Sequence, residues 1–409
     1  MSDIEVRALR GDDELRDYLR CMGIAFHLNT EVSERRFEFA RDHWDDPSRR
    51  LGAFVAGSLA GTAGSFATQL TVPGGETVAC AAVTQVTVLP THRRRGLLTA
   101  MMRTQLDDAI TRGEPVAMLL AAEWPIYGRF GYGMAVEAAA SIVDAAAARF
   151  RDPAVEGTIE IADRATLRDI APRVFDRHRR MTPGAIARAP VRWDVLTGLE
   201  VIDGREPPKT RVMILRRTPG GEVDGYAVYD TTEEWVHNRP RVRVDVRELI
   251  TVSDGATRDL WRYLCGIDWV TDVEAHVRAV DEDLRPLFVD GRVFRQAERS
   301  DHMWVRILDV PAALGARRYT VEPSLVLDVR DPFLDRGGRF RLAGRTCTPS
   351  GEPPDLSMDI DVLGATYLGG VPLRSYLLAG RVVEHTPGAV DAFDLSFRTA
   401  RAPWATTDF

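Results

Sequence analysis

The sequence predicts an α/β (α+β) chain of three successive regions, and three patterns carry that expectation. Residues 1–150 alternate strand-like and helix-like segments in the order of a strand–helix–strand unit. Residues 151–295 repeat that order of types without repeating residues, so any duplication is one of fold alone. From residue 296 onward, apolar and polar side chains alternate with period two between Gly, Pro and Asp turns, as in a sheet covered on one face. A chain of 409 residues exceeds one ordinary core, at roughly 150 residues per domain.

In the first region "LGAFVAG" and "GTAGSFATQLTV" read as strands joined by a turn at Gly57–Gly61, and "TVACAAVTQVTVL" as a third strand. Apolar residues then fall at Leu97, Leu98, Met101, Met102, Leu106, Ala109 and Ile110, which is helical spacing, before the short buried strand "PVAMLLAA". The middle region opens near Glu156. A strand and amphipathic helix in "TIEIADRATLRDIAPRVFDRHRRM" precede the strands "GYAVYDTTEE" and "RVRVDVRELITV", the helix "ATRDLWRYLCGI" and the strand "VEAHV". In the last region "SLVLDVRDP", "GRFRLAG" and "LSMDIDVL" are expected strands, with Leu356, Met358, Ile360 and Val362 on one face, and "AVDAFDLSFRT" closes it.

The formal charge of −7 argues against a nucleic-acid partner, which calls for a basic face. Cys21, Cys80, Cys265 and Cys347 lie far apart without CxxC spacing or a His cluster, so reduced cytoplasmic thiols are expected and no metal site is. The charged opening "MSDIEVRALRGDDELR" has no apolar signal core, and no run approaches the length of a membrane span.

The most informative stretch is "VTVLPTHRRRGLLTAMM", Val86 to Met102. A loop that leaves a strand, carries glycine and opens a helix presents free backbone N–H groups at the positive end of the helix dipole. Gly96 permits close backbone approach, and the arginines add forked donors, so the loop suits a pyrophosphate. The plain alternative is a solvated basic turn. After the next strand comes "EWPIYGRFGYG", in which Tyr127 is followed at fixed spacing by Gly131 and Tyr132.

Arg93, Gly96 and Leu98 resemble the acetyl-coenzyme A loop of GNAT-type N-acetyltransferases, with Leu98 at a position that is usually small. "PTHRRRGLL", "YGRFGYG" and the terminal "TTDF" together resemble the Eis-type (enhanced intracellular survival) branch of that superfamily, across the whole chain. The resemblance implies tandem GNAT folds, with residues 1–150 active and 151–295 degenerate, followed by a sterol carrier protein-like α+β domain over 296–409. It implies an N-acetyltransferase using acetyl-CoA as cosubstrate, without metal, on amines that are aminoglycoside-like, polyamine-like or protein lysine, and it implies a homohexamer. It places backbone groups of Val86, Thr87 and Val88 on the pantetheine arm and those of Arg94, Arg95, Gly96, Leu97, Leu98 and Thr99 on the pyrophosphate. Ala122 and Glu123 would also line the cofactor site. Tyr127 becomes the proton donor, with Tyr132 in reserve, and the main-chain carboxylate of Phe409 the proton acceptor.

Other residues carry two readings each. His92 either touches a ribose phosphate or is a solvated loop histidine, and Phe26, Phe37, Phe39 and Trp44 are either core or acceptor pocket. Asp408 would attract a cationic amine, whereas "AFHLNT" around Phe26 holds no acid. Aligned by type, Asp254, Gly255 and Ala256 replace the arginine loop in the middle region, and an acid there repels phosphate. The rival to the enzyme reading is a non-catalytic carrier of an apolar ligand or lipid, built on the last region beside a relict acetyltransferase domain.

Overall fold

The computed structural model describes residues 4–152, 157–202 and 206–409; the expected start of the middle region near Glu156 lies outside them. The first region forms β1 (Ile4–Ala8), α1 (Gly11–Ala25), α2 (Glu34–Asp42), β2 (Arg50–Val55), β3 (Ser58–Thr71), β4 (Thr77–Val88), α3 (Leu97–Thr111), β5 (Val116–Leu120), α4 (Trp124–Tyr127) and β6 (Gly133–Asp144). The middle region forms β7 (Thr158–Ile161), α5 (Arg164–Arg180), α6 (Pro190–Thr197), β8 (Val212–Arg217), β9 (Val223–Val236), β10 (Arg239–Thr251), α7 (Asp254–Cys265), β11 (Val270–Arg278) and β12 (Phe294–Ile307). The last forms α8 (Val310–Ala316), β13 (Ser324–Arg330), β14 (Gly338–Ala343), β15 (Thr346–Pro349), β16 (Leu356–Asp359), α9 (Ile360–Thr366), α10 (Leu373–Leu378), β17 (Val382–Glu384) and α11 (Ala389–Phe397).

Two compact units result. The first holds Met1–Val136, His302–Ala400 and Asp408–Phe409; the second holds Glu137–Asp301 and Arg401–Thr407. In the first unit β1, β2, β3 and β4 form an antiparallel run, β5 joins β4 in parallel, and Met303–Ile307 of β12 runs antiparallel to β5. The helix α3 makes the crossover between the parallel strands. Its buried positions Leu97, Met101, Met102, Leu106 and Ala109 follow the helical spacing of the sequence and give it one apolar face.

A second sheet of the first unit has the order β15-β14-β13-β16-β17. Leu325, Leu327, Val329, Leu342, Leu356 and Met358 are buried, whereas Asp328, Arg341 and Ser357 between them are only partly so, which is the expected one-sided alternation; buried Val326 on β13 departs from it. "LSMDIDVL" corrects the sequence reading in its second half. The strand stops at Asp359, and Ile360 and Val362 belong to α9. Burial there is all-round, taking in Leu363, Gly364 and Ala365 as well, and four alternating residues cannot distinguish a strand from a helix buried on every side.

The second unit orders its strands β6-β11-β10-β9-β8-β7, with only β10 and β11 parallel among its described pairs. Residues Arg401–Thr407 are pinned within it. Trp404 is buried in the cluster of Phe175, Trp193 and Tyr226. The Arg188 guanidinium, 6% exposed, forks onto the Glu248 carboxylate at 2.9 and 2.5 Å. It also donates to the Thr407 and Thr406 hydroxyls at 2.7 and 2.9 Å, and the Tyr226 hydroxyl donates to Glu248. Every member of this buried network is paired, which burial of an ion pair demands.

Candidate active site

The site is built on an interrupted strand edge in the first unit. Parallel pairing of β4 with β5 runs from Cys80–Val116 to Val83–Leu119 and stops there among the described pairs. On the other side β4 keeps pairing with β3, but Thr62 faces Thr87 and Gly64 faces Thr84, so Gln85 and Val86 together oppose Ala63. This is a β-bulge, and Gln85 takes a left-handed φ of 57° within it. A bulge bends its strand and ends pairing, so the main chain from Gln85 to Val88 is turned away from β5.

After β4 the chain makes the turn Pro90–His92 and reaches the arginine loop. Arg94 and Gly96 have φ of 62° and 86°. Gly96 is the N-cap residue of α3 and no side chain caps the helix, while a β-carbon at Gly96 would meet nothing within 4 Å. The first-turn N–H groups of α3 therefore lack intrahelical partners, the space beside Gly96 is open, and Arg94, Arg95 and Thr99 are exposed, with Leu97 buried to hold the helix in place. This is a fitting cradle for a phosphate group. The matching helix of the middle region, α7, is capped by its own Ser253, whose hydroxyl accepts from the Ala256 N–H at 3.0 Å, and Asp254 stands in its first turn. There one of the donors is already occupied and the charge of Asp254 is wrong for an anion.

Tyr127 ends the short α4 that follows Ala122 and Glu123, both exposed. It is 8% exposed and belongs to a cluster with Val83, Phe130, Tyr132 and Leu119, against which Val86 and Leu98 also pack. Burial, then the negative charge of Glu123, pushes its phenol up to about 12, so the group keeps its proton at neutral pH. Gly131 closes the turn at φ +83°, where a β-carbon would lie 2.8 Å from the buried Arg306 guanidinium, so only glycine fits. Tyr132, 6.1 Å from Tyr127 between ring centroids, is fully buried.

Phe409 is half-buried, and its ring meets that of Phe66 edge-on, 5.4 Å between centroids. Phe66 lies on β3 opposite Ala82 of β4, so the terminal residue rests on the hairpin that carries the bulge. The exposed Asp408 carboxylate is 4.0 Å from His302 Nε2. The structure thus gathers Val86, Leu98 and Tyr127 in one cluster and seats Phe409 on the same β3–β4 hairpin. His92 bonds the neighbouring Thr91 hydroxyl on the surface. Phe37 is core, Phe26 is 42% exposed, Phe39 stacks on His43, and the Trp44 ring carries Arg50 over its face. Sequence reasoning missed Gln85 and Phe66: nothing local marks a bulge in a β-branched strand or the partner of a chain end.

Among the described residues no helix is long and apolar enough to cross a membrane. One group among them, Asp245, Glu274 and His276 of the second unit, brings potential metal-ligand atoms within 4.8 Å of one another, with Arg243 3.6 Å from Asp245.

A GNAT acetyltransferase domain family matches residues 5–135, a second one matches residues 184–307, and a sterol carrier protein domain matches residues 310–406. The chain is 41% identical over 418 residues to an uncharacterized N-acetyltransferase of Streptomyces griseus, covering 99% of this chain and 100% of that one. It is 35% identical over 368 residues to N-acetyltransferase Eis of Mycobacterium tuberculosis, 85% of either chain. Its fold matches the crystal structure of Eis1 from Mycobacterium abscessus with a TM-score of 0.88 at 34% identity, over 99% of this chain and 100% of that one. Tandem GNAT domains, a sterol carrier protein-like domain after them and this identity over most of its length place the chain in the family of Eis-type N-acetyltransferases.

Proposed function

We propose that the first unit transfers the acetyl group of acetyl-CoA directly to a primary amine in a ternary complex, with Tyr127 as proton donor and the Phe409 main-chain carboxylate as proton acceptor. The observation that carries this reading is the β4 edge, freed from β5 at the Gln85 bulge and leading straight into the uncapped start of α3. The GNAT fold takes acetyl-CoA as its donor. Backbone groups of Val86 to Val88 would pair with the pantetheine arm as an added strand, and one N–H would polarise the thioester carbonyl. The amides of Arg94 to Thr99 would hold the pyrophosphate, flanked by Ala122 and Glu123.

The amine nitrogen attacks the carbonyl carbon, and the C–S bond breaks as the C–N bond stands. The terminal carboxylate takes the ammonium proton. The leaving sulfur takes the Tyr127 proton. A phenol near 12 is a weak acid, but the desolvation that raises it also raises the proton affinity of the departing thiolate, so the two move together. The residue that bears the terminal carboxylate is half-buried, with its ring against that of Phe66.

The acceptor is an aminoglycoside-like or polyamine-like cation or a protein lysine, drawn by exposed Asp408. The enzyme works as a homohexamer in the cytoplasm, in keeping with free cysteines at Cys21, Cys80, Cys265 and Cys347. A lipid-carrier role gains no support from two cavities of the last region, about 430 and 560 Å³, because Asp391, Asp394 and Arg398 line one and Asp328, Asp335 and Asp359 the other. The test is release of coenzyme A thiol from acetyl-CoA with a panel of primary amines, the products weighed by mass spectrometry. The reading predicts amine-dependent release and acetylated product; binding of coenzyme A without amine-dependent release by any of the panel would contradict it.

A further inference from the structure

The bulge at Gln85 is held by more than the β3–β4 ladder. A non-glycine residue at φ 57° carries a strain of about 1 kcal/mol or more, so surrounding bonds must enforce it. Two side chains do so from opposite ends of the residue. The Tyr18 hydroxyl, on α1 and fully buried, donates to the Gln85 side-chain carbonyl at 2.9 Å. The Thr62 hydroxyl, also fully buried, donates to the Gln85 main-chain carbonyl at 2.7 Å.

Proton bookkeeping fixes the direction of the rest. Thr62 spends its one hydrogen on Gln85, so in the 2.6 Å contact between the hydroxyls of Thr62 and Thr87 it is Thr87 that donates. Thr87 in turn can only accept from Cys21, whose sulfur is 3.6 Å away and whose thiol burial keeps protonated. A one-way chain, Cys21 to Thr87 to Thr62 to the Gln85 carbonyl, therefore runs behind the bulge, each bond polarising the next. There is no slack around it: a β-carbon at Gly64 would come 3.0 Å from both the Tyr18 oxygen and the Trp44 ring.

We propose that Tyr18 and Thr62 are positioning residues that lock the left-handed bulge and thereby fix the direction of the Val86 N–H. The peptide plane joining Gln85 to Val86 carries both the carbonyl that Thr62 grips and the N–H that faces the freed strand edge, so holding one end of that plane aims the other. This rests on the proposed thioester site, in which that N–H meets the developing oxyanion. Swinging that donor out of line costs far more in the transition state, where the oxyanion develops, than in the ground state, where it scarcely contributes to binding.

The experiment compares wild type with Thr62→Val, Thr62→Ser and Tyr18→Phe. Its three readouts are acetyl-transfer kinetics, coenzyme A affinity by calorimetry, and the carbonyl stretch of ¹³C-labelled acetyl-CoA bound without acceptor. The lock predicts a red-shifted stretch in wild type and Thr62→Ser. It predicts loss of most of that shift in Thr62→Val and Tyr18→Phe, with kcat lower by about ten- to a hundredfold and coenzyme A affinity unchanged. If one variant fails to fold, the other, with Thr62→Ser as the retained-hydroxyl control, decides. A wild-type shift that survives in the folded variants with kcat intact overturns the lock alone. No shift in wild type overturns the thioester site and the lock together.

Discussion

Replacing Gly96 by alanine isolates what the glycine contributes, because the structure separates strain from collision there. A β-carbon at this position would touch nothing within 4 Å, so no side-chain clash enters the sum. What remains is the left-handed φ of 86°, which costs a residue with a β-carbon about 1–2 kcal/mol. The chain can meet that cost in two ways. It can keep the loop, in which case the folded state loses about 1–2 kcal/mol and coenzyme A binds as before. Alternatively it can relax φ to negative values and turn the first-turn N–H groups of α3 away from the phosphate, in which case affinity falls by roughly five- to thirtyfold. Because Gly96 is exposed and the loop is uncapped, relaxation is the easier route, and the loss is expected in affinity. Calorimetric titration with coenzyme A, beside thermal unfolding with and without it, apportions the two. kcat at saturating acetyl-CoA should hardly change, since the pyrophosphate is bound alike in ground and transition states. A variant with wild-type stability and wild-type affinity would refute the reasoning, for then neither the strain nor the cradle exists.

Tyr127→Phe should lower kcat by about 10²–10⁴-fold and leave coenzyme A affinity unchanged, as steady-state kinetics and calorimetry will show; equal kcat would move the donor elsewhere. Arg188→Met leaves the Glu248 carboxylate buried without its ion partner, so urea unfolding should show a loss of about 3–5 kcal/mol, well beyond that of an exposed pair such as Arg173–Asp169. Burial holds His178 down at about 4, against an ordinary 6.5, while its ring bonds the Thr251 carbonyl and meets the Trp404 ring. Because the folded value is depressed, the unfolded chain binds the proton first as pH falls. Stability is then full above 6.5 and drops by about 3 kcal/mol toward pH 4, a slope that His178→Gln should flatten in pH-dependent melts.

How much of this was readable in the chain depended on whether the signal was local. The helix α3 was legible because Leu97, Met101, Met102 and Leu106 fall on one face, and the donor loop because Gly96 sits between a strand and that face. The Tyr127 turn was legible through Gly131, whose φ of +83° only glycine adopts cheaply. Gln85 was not, since a bulge depends on what lies opposite it in β3, and polar Gln in a β-branched strand carries no mark of left-handed backbone. Tyr18 and Thr62 read as ordinary members of an amphipathic helix and a strand; their role comes from meeting Gln85 across 67 and 23 residues of sequence. Phe66 likewise gains its place only from the chain end 343 residues later, a contact that no spacing rule encodes. The helix α9 was misread for the opposite reason: its burial on all sides erased the period that distinguishes helix from strand.

The proposed chemistry uses the last carboxylate of the chain. One alanine appended after Phe409 moves that carboxylate by a residue, up to about 3.5 Å, while leaving every side chain in place. Steady-state acetylation of a polyamine and aminoglycoside panel by wild type and the extended protein, with coenzyme A binding measured on both, tests it. The extension is expected to abolish turnover and to leave coenzyme A affinity intact. Turnover by the extended protein at the wild-type rate would show that the proton leaves by another route, and the Phe409 assignment would fall.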